Sequence, residues 1–204
     1  MNLVTAPYLI QLARWPRTGQ HILAQYNDSS VVVYQAYRPS IGHFAAQHGY
    51  FGGEFSFSRM SWVKPGFLWM MYRSGWAGKS EQEVALAVRI TRAGFDELLR
   101  EAVHSTYRED VYGDQGRWKA AVERSEVRVQ WDPDHDPAGA KMERRALQLG
   151  LRGSALTRYG REWIVEIEDI TDFVHEHYEH VRTQNYGRLI TPRETVYPGT
   201  THSG

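Results

Sequence analysis

The chain of 204 residues contains no cysteine. Disulfides, thiolate metal sites and a cysteine nucleophile are therefore excluded, and the composition suits a reducing, cytoplasmic setting. Net charge is missing as well: 24 Lys and Arg balance 24 Asp and Glu. The global field that draws proteins to nucleic acid or anionic membrane is thus absent. No apolar run approaches the roughly 18 residues that span a bilayer, so no membrane partner is expected. The start MNLVTAPYLIQLARWP lacks a basic head and a continuous apolar stretch, which argues against a signal peptide. Standard catalytic signatures are lacking too: no phosphate loop ending in Gly-Lys-Ser/Thr, no GxGxxG, no GxSxG and no HExxH.

What the chain has in excess is aromatic surface, 13% of residues, with seven Trp and twelve Tyr. These side chains join a large apolar area to a polar handle, so they suit a stiff core or a ligand-facing wall. The length is ample for one domain with a real core. Charge is distributed unevenly: residues 1–100 carry ten Lys/Arg against six Asp/Glu, and residues 101–204 fourteen against eighteen.

Strands are expected where β-branched and alternating residues sit between turn formers: 31–37, 52–62, 83–91, 126–132 and 144–151. In 52–62, Phe55, Phe57, Arg59 and Ser61 alternate with Ser56, Ser58, Met60 and Trp62. Helices are expected at 39–51, from Lys64-Pro65 to a Gly75 cap, at 93–107, from Ser154 onward and at 171–186. The stretch 187–204 reads as a loose tail. Short and long connections are mixed. That predicts a single α+β domain over 1–204, with a mixed or antiparallel sheet of about five to six strands flanked by helices.

The densest stretch is RMSWVKPGFLWMMYRSGW, residues 59–76, where three Trp, a Phe and a Tyr are threaded by Arg59, Lys64 and Arg73. A helix opening at Lys64-Pro65 would set free N–H groups and a positive dipole end beside a cation, a ready anion site. Trp69 and Arg73, four apart, would share a helix face. Phosphates need such donors and a base needs a flat partner, so the block points to a nucleotide. The competing reading pairs Arg59 and Arg73 with carboxylates such as Glu54 or Asp132. Gln35 and Tyr37 alternate onto one strand face, with Arg38 at the exit, and a buried Gln must find partners. WDPDHDP, 131–137, sets Asp132 at a strand end as a fixed carboxylate. In HEHYEH, His177 and His180 share a face while His175 does not, which fits an exposed polar face; no metal is expected.

ILAQYNDSSVVVYQAYRPSIG, FSFSRMSWVKPGFLWMMYRSGWAGK, VRVQWDPDHD and ALQLGL together resemble the family catalogued as domain of unknown function 4291, over about residues 21–183. A more distant resemblance is to ADP-ribosyltransferase-like domains. It implies an α+β fold with NAD in a cleft, a first strand VYQAYRP, a second strand FSRMSW and a late strand ALQLGL. On that likeness Gln35 stands where those domains commonly place His, and Gln148 where they place a catalytic Glu or Gln. The first strand lacks that His and the late strand lacks that Glu, and loss of the Glu would weaken polarisation of the ribose hydroxyl.

The resulting expectation is a nucleotide cleft. Arg59, Lys64 and Arg73 would hold a diphosphate, and Trp62 or Trp69 would stack on a ring. Gln35, Tyr37 and Arg38 would complete the wall, and Gln148 or Asp132 would orient the ribose or an acceptor, nucleic acid or protein. NAD is the cofactor implied. The alternatives are a non-catalytic single-stranded nucleic-acid module, against which zero net charge counts, and a protein-interaction surface.

Overall fold

Two apolar runs, Val31 to Tyr34 and Val84 to Val88, organise the molecule, whose computed structural model describes residues 3–199. They lie in the antiparallel strands Ser30–Tyr37 and Val84–Thr91, and Ile164–Asp169 pairs antiparallel with the other edge of Val84–Thr91. Side chains alternate across a strand. Val31, Val33, Leu86 and Val88 therefore enter one core, while Val32, Tyr34, Ala85 and Ala87 enter another. Both faces are covered, which is why these strands read as unbroken apolar runs.

A second sheet is built on the antiparallel pair Val127–His135 and Lys141–Leu151. Gly19–Gln20 and Val103–His104 add parallel edges, and Ser61–Val63 pairs antiparallel with the end of Lys141–Leu151. Its faces differ in kind. Val127, Val129, Leu149 and Leu151 fill the first core. Gln130, Asp132, Gln148 and Trp62 occupy the alternate register positions on the opposite face. The sheets are stitched together by a bridge between Tyr34 and Lys64. Tyr34 N donates to Lys64 O at 2.7 Å, and Lys64 N donates to Tyr34 O at 3.2 Å.

The fold is α+β, as expected, but its strands are divided between sheets. Several local expectations are corrected. Residues 52–60 form turns, and only Ser61–Val63 is strand. Gly52 and Gly53 lie against the Phe44 ring, where a Cβ at Gly52 would come within 2.8 Å of it. The helix from residue 154 becomes Gly153–Arg161, after which the chain returns as the strand Ile164–Asp169. The helix Gln115–Arg124 went unpredicted; it buries no residue, so no apolar stripe announces it. The described part of the tail is not loose. Ile190–Pro192 pairs with Thr5–Pro7 and Thr195–Val196 with Leu23–Ala24, burying Leu189, Thr191, Glu194 and Tyr197. Among the described residues no helix is long and apolar enough to cross a membrane.

Candidate functional site

Beside the Tyr34–Lys64 stitch lies an open cleft of about 480 Å³, a size that takes small ligands. Its walls come from the end of the strand Ser30–Tyr37, the turns before Ser61 and the helix Phe67–Ser74. Gln35, Tyr37, Arg38, Arg59, Trp62, Lys64 and Arg73 all line it. Residues spread over the chain from position 35 to 73 are thus brought to one space.

The three cations of the aromatic block converge there. Arg59 and Arg73 are exposed, and Lys64 is only 5% exposed. Among the described residues none of the three side chains has a hydrogen-bond or ion-pair partner. The carboxylates suggested as partners are engaged by other groups, Glu54 within the cleft's own lining. Arg38 Nη2 and Ser40 Oγ each donate to Glu54 at 2.8 Å, and together they hold its carboxyl below the usual range. Arg38 also reaches Glu81 at 3.3 Å, closing the rim. Asp132 accepts from Gln130 Nε2 at 2.8 Å and from Gln148 Nε2 at 2.7 Å.

Lys64 has a fixed backbone, through the stitch to Tyr34, and a desolvated amine. Burial pushes that amine down to about 7; the Arg73 charge adds to the fall and Asp132 opposes it. A carboxylate close enough to act but not in contact leaves the amine unneutralised.

Beneath the cations the floor is a closed network. Tyr159 Oη donates to Gln35 Oε1 at 2.6 Å, and Gln35 Nε2 donates to Tyr37 Oη at 2.7 Å and Ser61 Oγ at 2.9 Å. The Gln35 amide is consumed by these bonds, so it shapes the floor and has little left for a ligand. Burial keeps the Tyr37 phenol well above its ordinary range, and it stays neutral. The Trp62 indole lies over Gly150, where a Cβ would come within 2.9 Å of it. Glycine at 150 gives the indole its seat.

Other expectations are corrected. The helix starts at Phe67, not at Lys64-Pro65, and its first N–H is already taken: Phe67 N donates to Glu194 Oε1 at 2.7 Å. The place foreseen for an anion at this helix start is filled by the chain's own Glu194, whose carboxyl burial pushes well above the ordinary range, toward its neutral form. Trp69 turns away from Arg73 and the cleft, stacking on Tyr72 and His135 at 5.5 and 5.2 Å. Gln148 and Asp132 sit beside the cleft, on the polar face of the second sheet, not among its lining residues. His177 is buried and its Nδ1 accepts from Ile190 N at 3.4 Å, so it is not part of an exposed face. Among the described residues no group of three or more His, Asp or Glu is placed to hold a metal ion. Sequence reasoning missed Ser61, Tyr159, Gly150 and Glu194. Only Ser61, on the Arg59 face of its segment, carried any local signal.

Fold and cleft together define an α+β protein with a cationic, aromatic-lined pocket at the junction of two sheets. The family model for Domain of unknown function (DUF4291) matches residues 21–197, and the chain belongs to that family. The match runs past the expected end near 183 and includes the strand-forming tail. A search of curated proteins finds no match to the chain.

Proposed function

We propose that the cleft binds a nucleotide, with NAD as the ligand and ADP-ribosyl transfer as the reaction. One observation carries this reading: Arg59, Lys64 and Arg73 line a single open space whose two lining carboxylates, Glu54 and Glu81, are both held by Arg38, so that among the described residues none touches the three cations. Cations left unmatched beside a flat indole fit a phosphate-bearing ligand with an aromatic ring. Arg59 and Arg73 would grip the diphosphate, Lys64 would take up charge as it bound, and Trp62 would lie against a ring.

For the transfer step the carboxylate would have to come from a neighbour of Gln148, on the sheet face beside the cleft rather than in its lining. The position occupied by Gln148 lacks a carboxylate, but its amide holds Asp132 across the strand pair at 2.7 Å. Both Asp132 oxygens accept from Gln amides, so the charge is fixed in place. If NAD bound so that its ribose reached this side of the cleft, a preorganised negative charge at Asp132 would supply electrostatic stabilisation for the transfer.

A thermal-shift series with NAD, ADP and short oligonucleotides tests the reading. A ligand at 100 times its Kd stabilises the folded state by about 2.7 kcal/mol. NAD and ADP are expected to raise Tm, and Arg73→Met to abolish the rise. A shift from oligonucleotides alone, fading with salt, would sink the proposal and favour nucleic-acid binding.

A further inference from the structure

Only four of the chain's 24 basic residues are lysines: Lys64, Lys79, Lys119 and Lys141. Three of them are exposed, and Lys64 is the buried one. It is also the one that faces a cleft. Its amine has no protein partner among the described residues, and its backbone is locked to the central sheet by the two hydrogen bonds to Tyr34. An amine used only as a surface cation needs no burial, and a structural buried lysine would be paired. Lys64 fits neither description. A desolvated amine beside a second cation is the arrangement that makes lysine a nucleophile.

We propose that Lys64 is a reactive amine that condenses with a phosphorylated aldehyde or ketone held in the cleft by Arg59 and Arg73. The Nζ lone pair attacks the carbonyl carbon and the carbonyl electron pair moves to oxygen, which takes a proton to give a carbinolamine. The nitrogen gives up its two protons in the course of the step, the hydroxyl takes a second proton and leaves as water, and the C=N bond forms. The step consumes no oxidant or reductant. Trp62 lines the same cleft and offers an aromatic side chain beside the cations.

The amine is suited to this near neutrality. At the depressed value of about 7, about half of it is free base at pH 7, against about one part in 2,500 for an unperturbed lysine. The groups acting on it are Arg73, from the helix Phe67–Ser74, and Asp132, from the strand Val127–His135. Arg59 shares the cleft.

The test uses the whole protein and pyridoxal 5′-phosphate as probe, with non-phosphorylated pyridoxal as control. Borohydride reduces any C=N bond to a stable amine, and peptide mapping locates it. The expected result is one adduct per chain, at Lys64, formed well ahead of Lys79, Lys119 and Lys141. Pyrophosphate should slow it, and Arg73→Met should bring the phosphorylated probe down to the rate of pyridoxal. Labelling spread evenly over the four lysines, or led by an exposed one, would overturn the proposal. Equal rates for the two probes in the unmodified chain would overturn its phosphate arm. The inference goes beyond nucleotide binding, and the two fail separately: NAD can bind without an adduct forming, and an adduct can form where NAD gives no shift. Because the mapping is done on the natural chain, it does not depend on any Lys64 variant folding.

Discussion

The helix Phe67–Ser74 separates two charged regions that obey opposite rules. On one side lie Asp134, Arg144 and Glu194, all at 5% exposure or less. There Arg144 Nε meets Asp134 Oδ2 at 2.5 Å, the guanidinium covers the Trp15 ring, and Glu194 accepts from the helix start. The space left among them is about 10 Å³, room for about one water. On the other side Arg59, Lys64 and Arg73 line an open cleft where, among the described residues, no carboxylate touches them, Glu54 and Glu81 being held by Arg38. In the first region the ion pair is closed and burial drives the lone Glu194 carboxyl toward its neutral form. In the second the charge is left open. Matched charge in a closed space holds a fold together, whereas unmatched charge at an open space is held ready for something that arrives.

That contrast can be broken most forcefully on the closed side. Asp134→Ala strands the Arg144 guanidinium in the interior, and losing one member of a buried pair costs about 3–5 kcal/mol. Urea unfolding should show a loss of that size, with the cleft residues unaltered. A small loss would mean that the pair is not what organises this side.

Lys64 gives the next largest effect, and its sign is opposite to that of a stabilising charge. Burial lowers the folded-state value from 10.5 to about 7. Between those values the unfolded chain keeps a proton that the folded chain has released, so stability rises with pH, by at most about 1.4 kcal/mol per unit. Lys64→Met should flatten this slope, read by urea unfolding at successive pH values between 7 and 10. At pH 7 and below the variant should be the more stable protein.

The smallest stability effect is expected at Arg73. Its guanidinium is exposed and unpaired, so Arg73→Met should change unfolding stability by no more than about 0.5 kcal/mol. Its loss should be seen in binding. A large stability loss with unchanged ligand affinity would place Arg73 on the structural side of the comparison.

How much of this was legible beforehand follows from the range of each interaction. The strands around Val31–Tyr37, Val84–Thr91, Val127–His135 and Lys141–Leu151 announce themselves through period-two or continuous apolar runs. The cleft cations were legible because Arg59, Lys64 and Arg73 lie within fifteen residues of one another. Glu194 was not, since it reaches Phe67 across 127 positions and sits in a stretch whose turn formers read as loose. The segment 52–60 misled because Phe55 and Phe57 do alternate with polar residues. Yet the rings of Phe51, Phe55 and Phe57 gather among themselves and near Tyr159, through turns rather than along a strand. Trp69 illustrates the limit of helical spacing. Four residues from Arg73, it finds the aromatic faces of Tyr72 and His135, and tertiary stacking overrides the shared face.

The stitch between Tyr34 and Lys64 has a mechanical meaning. Tyr34 is fully buried in the central sheet, so its main chain acts as a clamp on the residue that carries the amine. Sliding one sheet against the other would tear both hydrogen bonds at once. The cleft therefore has a hinge-free back wall, and whatever accommodation a ligand requires must come from its front edge, where the Arg38 latch to Glu54 and Glu81 can open without disturbing the core.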